Sequence, residues 1–513
     1  MDSDARTALP SALPPPIRAI HNGEAVARTD IPSVSMDTFR RAILAACAAK
    51  ARLAAMTVLP GLTPGRVLLA VLADDRSQLL GVLCTGVPLD NRYPALTPNL
   101  PQAQAFEREI LEEHGIVPEG HPWPKPLRRH AELEVPWDAH VGRDGYPFFR
   151  VEGPGIHEVA VGPVHAGIIE PGHFRFQCHG ETVLHLEIQL GYQHRGAQAL
   201  LLRSSPARRL VIAETIAGDT SVGHALAYSM AMEALTSTAP PPQAEAMRGI
   251  ALELERLANH VGDLGALCND VGYLPGASWF GRLRGEFLNL SLEICGSRFG
   301  RGLVIPGGVR FDLPAAGREA FLLRLQAAGT DLRHIADVVF QTSAVISRFE
   351  GTGVVTTAMA ETLGLVGVAA RASGCDCDVR RDHPAGIYRR TSIEPAAASS
   401  GGVMARAQIR RREADHSLAL VREQVETLPD GARSVALGQA RPHALAVALV
   451  EGWRGEIVHV AATDDKGQLA AYKVVDPSFH NWLGLALAMR GGQISDFPLC
   501  NKSFNLSYAG HDL

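Results

Sequence analysis

The stretch "IALELERLANHVGDLGALCNDVG", residues 250–272, carries the pattern that decides the fold. Ile250, Leu254, Leu257, Val261 and Leu264 step by four, three, four and three, which lines them along one face of an α-helix. The same spacing recurs in Phe280, Leu283, Phe287, Leu290 and Ile294, and again in Leu325, Ala328, Leu332, Ile335 and Val339. A last run holds Leu418, Val421, Val425 and Leu428. Faces of this kind predict a buried helical bundle. Strand-like pieces between 148 and 190 precede it, so β-structure is expected at the beginning and end of this large unit.

Upstream, residues 1–35 are rich in Pro, Ala and Ser and read as a mobile arm. "DTFRRAILAACAAKARLAAM" (37–56) reads as an alanine-rich helix with an Asp at its start. "RVLLAVLADD" and "QLLGVLCTGV" are apolar runs flanking a short polar turn, the signature of a hairpin. The proline-dense "GHPWPKPLRRHAELEVP" ends this unit near 137. The expectation is an α+β chain, with an arm (1–35), a small α/β domain (36–137) and a large, mainly helical domain with peripheral strands (138–513).

Composition bounds the function. With 513 residues, 46% hydrophobic and 20% charged, the chain has the make-up of a soluble globular protein with sizeable cores. A formal net charge of −5 lacks the basic excess of a nucleic-acid binder. No uncharged apolar run approaches the roughly 20 residues that span a bilayer. The acidic start "MDSDARTALP" is unlike a signal peptide, so a cytoplasmic location is expected. None of the eight cysteines forms a C-x-x-C pair, which argues against a zinc ribbon or an iron–sulfur cluster held by this chain alone. Cys375 and Cys377 read as two thiols on one loop. There is no glycine-rich βαβ fingerprint, so direct NAD binding is not expected.

"ETIAGDTSVGHALAY" (214–228) has the outline of a metal loop, a glycine turn running into a histidine and a helix, but without thiols. "VGPVHAGIIEPGHFRFQCHGETVLHLEIQLGYQHRG" (161–196) is similar to the opening of the large subunit of membrane-bound, energy-converting nickel–iron hydrogenases such as formate hydrogenlyase. "LELERLANHVGDLGALCNDVG" and "PGGVRFDLP" (306–314) resemble that large subunit and, equally, its relative in respiratory complex I, the D-type component at the quinone site. "YPALTPNLPQAQAFEREILEEHGIVPEGHP" (93–122) resembles the C-type component of complex I, which is fused ahead of the large subunit in these hydrogenases. The resemblance therefore implies a C-like domain over 36–137 and a D-like domain over 138–513.

In the hydrogenases the loop reads E-R-I-C-G-I-C-x-x-x-H. Glu214, Ile216, Gly218 and His224 match it, while Ala217 and Thr220 stand at the cysteine positions. The second pair, in D-P-C-x-x-C, falls on Asn505, Leu506, Ser507 and Gly510. The resemblance thus implies a variant without the four thiolates that hold nickel, and no metal ligand or cofactor is expected in this chain.

Of the polar residues that line the family's pocket, Glu170 resembles a proton-relaying glutamate. His224 keeps its place after the loop, as a proton-handling group or a helix-start histidine. Arg454 in "VEGWRGE" matches the arginine of a P-R-G motif and either binds an anion or polar headgroup or pairs with Glu456 or Asp476. Arg371 belongs to a further family motif and faces the partner subunit or the pocket, or has a structural role.

The quinone-clamping histidine and tyrosine of complex I fall near Ile169 and Ile216, neither able to bond a quinone carbonyl, with His165 as a possible substitute contact. The resemblance implies membership of an energy-converting hydrogenase-related complex on the cytoplasmic side of the membrane. Its implied partners are an iron–sulfur small subunit and ion-pump-like membrane subunits. The alternatives are a quinone-reducing subunit, a scaffold, or a hydrogenase with a non-standard site.

Overall fold

The computed structural model describes residues 12–128, 146–164 and 169–513. The first elements are β1 (Arg18–Ile20), β2 (Ala25–Ala27), β3 (Ser33–Val34), α1 (Met36–Ala48), β4 (Arg52–Pro60), β5 (Arg66–Asp74) and β6 (Leu79–Gly86). The strands form a five-stranded sheet in the order β1–β6–β5–β4, with β3 parallel to β6. The expected β5–β6 hairpin is present, from Val67 opposite Gly86 to Asp74 opposite Leu79.

Two expectations are corrected here. Within the described residues the arm is not mobile: Ala12 N–H donates to Asp74 at 2.7 Å, and β1 and β3 both pair with β6. Buried Leu13, Ile17 and Ile20 explain it, since apolar side chains scattered among the prolines reach the core. Residues 1–11 and the 137 boundary lie outside the described residues. The second correction concerns the helix at 37–56, which stops at Ala48, with Lys50 in the left-handed region at φ 78°. "RLAAMTVLP" continues as β4, because burial of Leu53 through Met56 outweighs the helix preference of alanine.

Next come β7 (Arg92–Pro94), α2 (Gln104–His114) and β8 (Val117–Glu119), with β7 and β8 a parallel pair. The large unit opens on β9 (Ile156–Val161), β10 (His173–His179) and β11 (Thr182–Gln189), an antiparallel sheet centred on β10. Helices α3 (Ala197–Arg203), α4 (Pro206–Glu214), α5 (Ser221–Thr236), α6 (Pro242–Asp270) and α7 (Leu274–Cys295) follow. Past the short pair β12 (Val304–Ile305) and β13 (Gly308–Val309) come α8 (Ala315–Gln341), α9 (Ser343–Phe349), α10 (Thr357–Leu363), α11 (Gly367–Ala372), α12 (Val379–Asp382) and α13 (Val403–Glu426). The chain closes with β14 (Ala444–Glu451), β15 (Glu456–Thr463), β16 (Leu469–Val475), α14 (Pro477–Ala488), α15 (Phe497–Phe504) and α16 (Tyr508–Asp512).

The predicted apolar faces of α6, α7, α8 and α13 are buried and join one core. Strands β2, β14, β15 and β16 form a second, antiparallel sheet. Strand β14 is buried on both sides, and its alternation divides the molecule. Ala444, Ala446 and Ala448 belong to the helical core, where small side chains let α5 approach closely. Leu445, Val447 and Leu449 point the other way, into the core built on the first sheet. Among the described residues, no helix is long and apolar enough to cross a membrane.

Candidate functional site

The loop between α4 and α5 sets the site. Ile216 and Ala217 are fully buried, and Thr220 N–H donates to the Ala217 carbonyl at 3.0 Å, closing a tight turn. Asp219 projects from this turn. Arg454 reaches it from the β14–β15 hairpin, and the guanidinium donates to both carboxylate oxygens at 2.6 and 2.7 Å. The hairpin fits because Gly455, at φ 140°, passes Gly367 backbone to backbone; a Cβ on Gly455 would lie 2.7 Å from the Gly367 Cα.

The same guanidinium donates to Thr220 Oγ1 at 3.1 Å and to the Asn505 carbonyl at 2.5 Å. It lies 3.9 Å from the centre of the buried Trp453 ring. Loop, hairpin and C-terminal tail therefore meet on one arginine. The expected partners Glu456 and Asp476 are otherwise engaged, Glu456 with Arg52 at 2.8 Å and Asp476 with His224 at 3.1 Å. Burial pushes the Asp219 carboxyl up, but Arg454 outweighs it and holds the group below its ordinary value.

His224 is fully buried on the first turn of α5. Its Nε2 lies 3.1 Å from Asp476 Oδ2, and its Nδ1 lies 3.1 Å from His459 Nε2. His459 Nδ1 lies 2.8 Å from the Tyr472 hydroxyl. With one proton on each ring the donors run in one direction: Tyr472 O–H to His459, His459 N–H to His224, and His224 N–H to Asp476. Burial and the neighbouring His224 push His459 well below its ordinary range, which favours this uncharged arrangement. Asp476 also caps α14, accepting Ser478 N–H at 2.8 Å. Nearby Glu255 accepts Val222 and Gly223 N–H at 2.7 and 3.1 Å, and burial pushes its carboxyl up to about 8.

Glu170 is half-buried and accepts N–H groups of Tyr508 and Ala509 at 3.2 and 3.3 Å. Burial raises its carboxyl; the Ala509 N–H and Arg454 oppose this. Glu170, His224, Arg454, the 217–220 loop and the tail are thus brought to one region. Arg371 is not part of it. It lies fully buried, donating to Glu413, Glu451 and the Cys377 carbonyl, which is its structural alternative. His165 lies outside the described residues. Ile216 is buried in the helical core, and Ile169 packs beside β9 and β10.

The donors at the family's four ligand positions do not suit nickel. Ala217 offers nothing, and Thr220 and Ser507 offer neutral hydroxyls already bonded to Arg454 and to Gly510 N–H. At Gly510 a Cβ would come within 2.5 Å of Asp476 Cγ and 2.7 Å of its Oδ2, so the Asp476 carboxylate fills the volume of any side chain there. Cys500 lies elsewhere, against Gly353, its thiol pushed up to about 11 by burial. Among the described residues, no group of three or more His, Cys, Asp or Glu side chains is placed to hold a metal ion.

Sequence reasoning missed Asp219, Glu255 and His459, and named Asp476 only as a partner for Arg454. Asp219 stands in the 214–228 stretch beside Thr220, and "VVDPSFH" carries the Asp-Pro start of a capped helix, but neither pattern tells which distant side chain it meets.

A family model described as "Respiratory-chain NADH dehydrogenase, 49 Kd subunit" matches residues 270–441. The chain is 31% identical over 350 residues to the carbon monoxide-induced hydrogenase of Rhodospirillum rubrum, covering 68% of this chain and 97% of the relative. It is 29% identical over 442 residues to hydrogenase-4 component G of Escherichia coli (strain K12), covering 83% and 77%. To NADH-quinone oxidoreductase subunit 4 of Thermus thermophilus it is 30% identical over 368 residues, covering 66% and 89%. The chain belongs to the family that joins the large subunits of membrane-bound hydrogenases to the 49 Kd subunit of respiratory-chain NADH dehydrogenase.

Proposed function

We propose that this chain is the large subunit of a membrane-associated oxidoreductase complex related to hydrogenases and complex I, working without a nickel–iron centre of its own. Electrons reach or leave its edge through an iron–sulfur cluster in a partner small subunit. Ion-pump-like membrane subunits carry the coupled ion movement, and this chain is attached to the membrane through them. The relatives support such an assembly: one is named a membrane-bound hydrogenase subunit, another an F(420)H(2) dehydrogenase subunit.

The observation that carries the reading is the junction on Arg454. Where thiolates would be expected, Asp219, Asp476, Thr220 and Ser507 make a polar, hydrogen-bonded cluster with Glu170 at its side. In it Glu170, raised by burial, takes up a proton more readily than an exposed carboxylate and returns it when the local charge changes. Arg454, tied to Asp219, supplies the fixed positive charge that sets that response.

The test is made on the purified complex. Elemental analysis should find no stoichiometric nickel, and hydrogen uptake should be absent. Electron transfer should fall at least tenfold in Glu170→Gln and in Arg454→Ala. Near-equimolar nickel would overturn the loss of the metal, and unchanged electron transfer in both variants would reduce the chain to a scaffold.

A further inference from the structure

A cavity of about 320 Å³ lies between α5, α6, β14 and the 379–389 segment, and shares no residue with the Arg454 junction. Leu226, Met230, Leu252, Ile387 and Leu449 supply an apolar wall. The segment can sit close on α6 because Gly249 lies beneath it; a Cβ there would come within 2.2 Å of Ile387 Cδ1. Gly386, in the left-handed region at φ 56°, borders the open space, and a Cβ on it would meet no atom within 4 Å. The exposed members of the lining, Ser237, Ala239 and Arg389, mark the mouth.

The acidic lining is Glu233, Glu245 and Glu451, and the basic lining is Arg248, Arg380 and Arg389. All but one of these charges are already committed. Glu233 takes Arg248 at 3.1 Å and Gly307 N–H at 2.7 Å. Arg380 donates to Asp378 at 2.7 Å, and Glu451 accepts from Arg371 at 2.8 Å. Glu245 takes Arg390 at 2.9 Å. Arg389 is the exception. Its Nε donates to the Pro384 carbonyl at 3.4 Å, and among the described residues no carboxylate pairs with its guanidinium.

An apolar wall with one uncommitted cation at its mouth selects a ligand by two properties. The wall favours an apolar body, which gains by leaving water. At ordinary packing density, a body of roughly ten to fifteen non-hydrogen atoms fills such a volume, which is too little for a lipid with two chains. The guanidinium favours a carboxylate, which can accept two parallel N–H bonds from it. With the apolar wall keeping water from one side, that pair is worth more than one between two fully exposed ions.

We propose that this cavity binds a monocarboxylate with an apolar body, the body lying against the Leu226, Met230, Leu252, Ile387 and Leu449 wall and the carboxylate on Arg389. The uncharged amide of the same acid keeps the body but loses the ion pair, and an amine meets a like charge.

The test uses the intact purified complex with 4-benzoylbenzoate, a photoreactive aromatic acid, and its uncharged isostere 4-benzoylbenzamide, mapping the labelled peptides by mass spectrometry. Labelling by the acid should fall on peptides containing residues 226–252 or 379–389. It should reach half-saturation there at a concentration at least threefold lower than labelling by the amide. In Arg389→Gln, which removes an exposed side chain without an ion pair, that difference should vanish. Absence of label from those peptides, equal half-saturation by acid and amide on the natural sequence, or a difference that persists in Arg389→Gln would each overturn the proposal. The comparison of acid and amide on the natural sequence does not depend on how any variant folds.

Discussion

At the scale of single residues, the decisive contact is between Gly510 and Asp476. The resemblance implies that Gly510 stands at one of the family's ligand positions. What fills the space there was not legible in the sequence, because Asp476 is brought there by α14 and held by His224 and Ser478 N–H. A Cβ at 510 would meet all three carboxyl atoms at 2.5–2.8 Å, and a carboxylate fixed from two sides cannot easily retreat. Gly510→Ala should therefore lower stability by about 1–3 kcal/mol, as overpacking of a closed site does. Asp476→Ser keeps a capping oxygen while removing the clash. The double variant Gly510→Ala/Asp476→Ser should then be less destabilised than the sum of the singles. Denaturant unfolding of the four proteins checks this, and strict additivity would mean that the two residues do not compete for the same volume.

At the scale of elements, α6 has two buried faces and only one is legible in the sequence. Its leucine and valine face follows from spacing alone. Glu253, Arg256, His260 and Asp263 repeat at the same helical period and look like a solvated face, yet all are buried. They meet a matching row on α13, made of Arg406, Arg410, Glu413 and Ser417, also buried. Ser417 donates to Glu253 at 2.5 Å, His260 lies 2.8 Å from Glu413, and Arg410 donates to Asp263 at 2.6 Å. Charge spacing on one helix cannot report that its counter-charges lie some 150 residues further along, since only the packed pair excludes water from both. Glu413 is the hub, because Arg371 donates to it at 2.7 Å and Arg256 lies 3.7 Å away. Glu413→Gln keeps the shape but leaves these cations short of an anion, which should cost about 3–5 kcal/mol. Glu426→Gln breaks an exposed pair with Arg422 on the same helix and should leave stability essentially unchanged. Unfolding curves for the two variants should separate accordingly; equal losses would make the seam a passive filler.

At the scale of the whole molecule, the chain is less divisible than its motifs suggest. The order of C-like and D-like segments is what the resemblance of their motifs implies. A shared core was not legible in the sequence, because β2 pairs with β14, strands more than 400 residues apart. Ala25 on β2 lies opposite Ala446 on β14, so the supposed arm is part of the central sheet. A second tie is ionic. Glu109 on α2 lies between Arg128 and Lys473 of β16, all three buried, and Arg128 also donates to the His511 carbonyl at 2.8 Å. Burial alone would push the Glu109 carboxyl up, but Lys473 and Arg128 hold it at about 2, against an ordinary value of 4.5. A depressed carboxylate stabilises the fold fully above its unfolded value and loses that contribution as pH falls towards the folded one. The clamp should therefore be complete above about pH 4.5 and weaken progressively down to about 2. Glu109→Gln leaves two buried cations facing a neutral amide and should cost about 3–5 kcal/mol at pH 7. The difference in melting temperature between the natural chain and Glu109→Gln should be largest at neutral pH and shrink as pH falls below about 4.5. A difference that stayed constant from pH 7 to 3 would show that the triad's charge does not hold the two parts together.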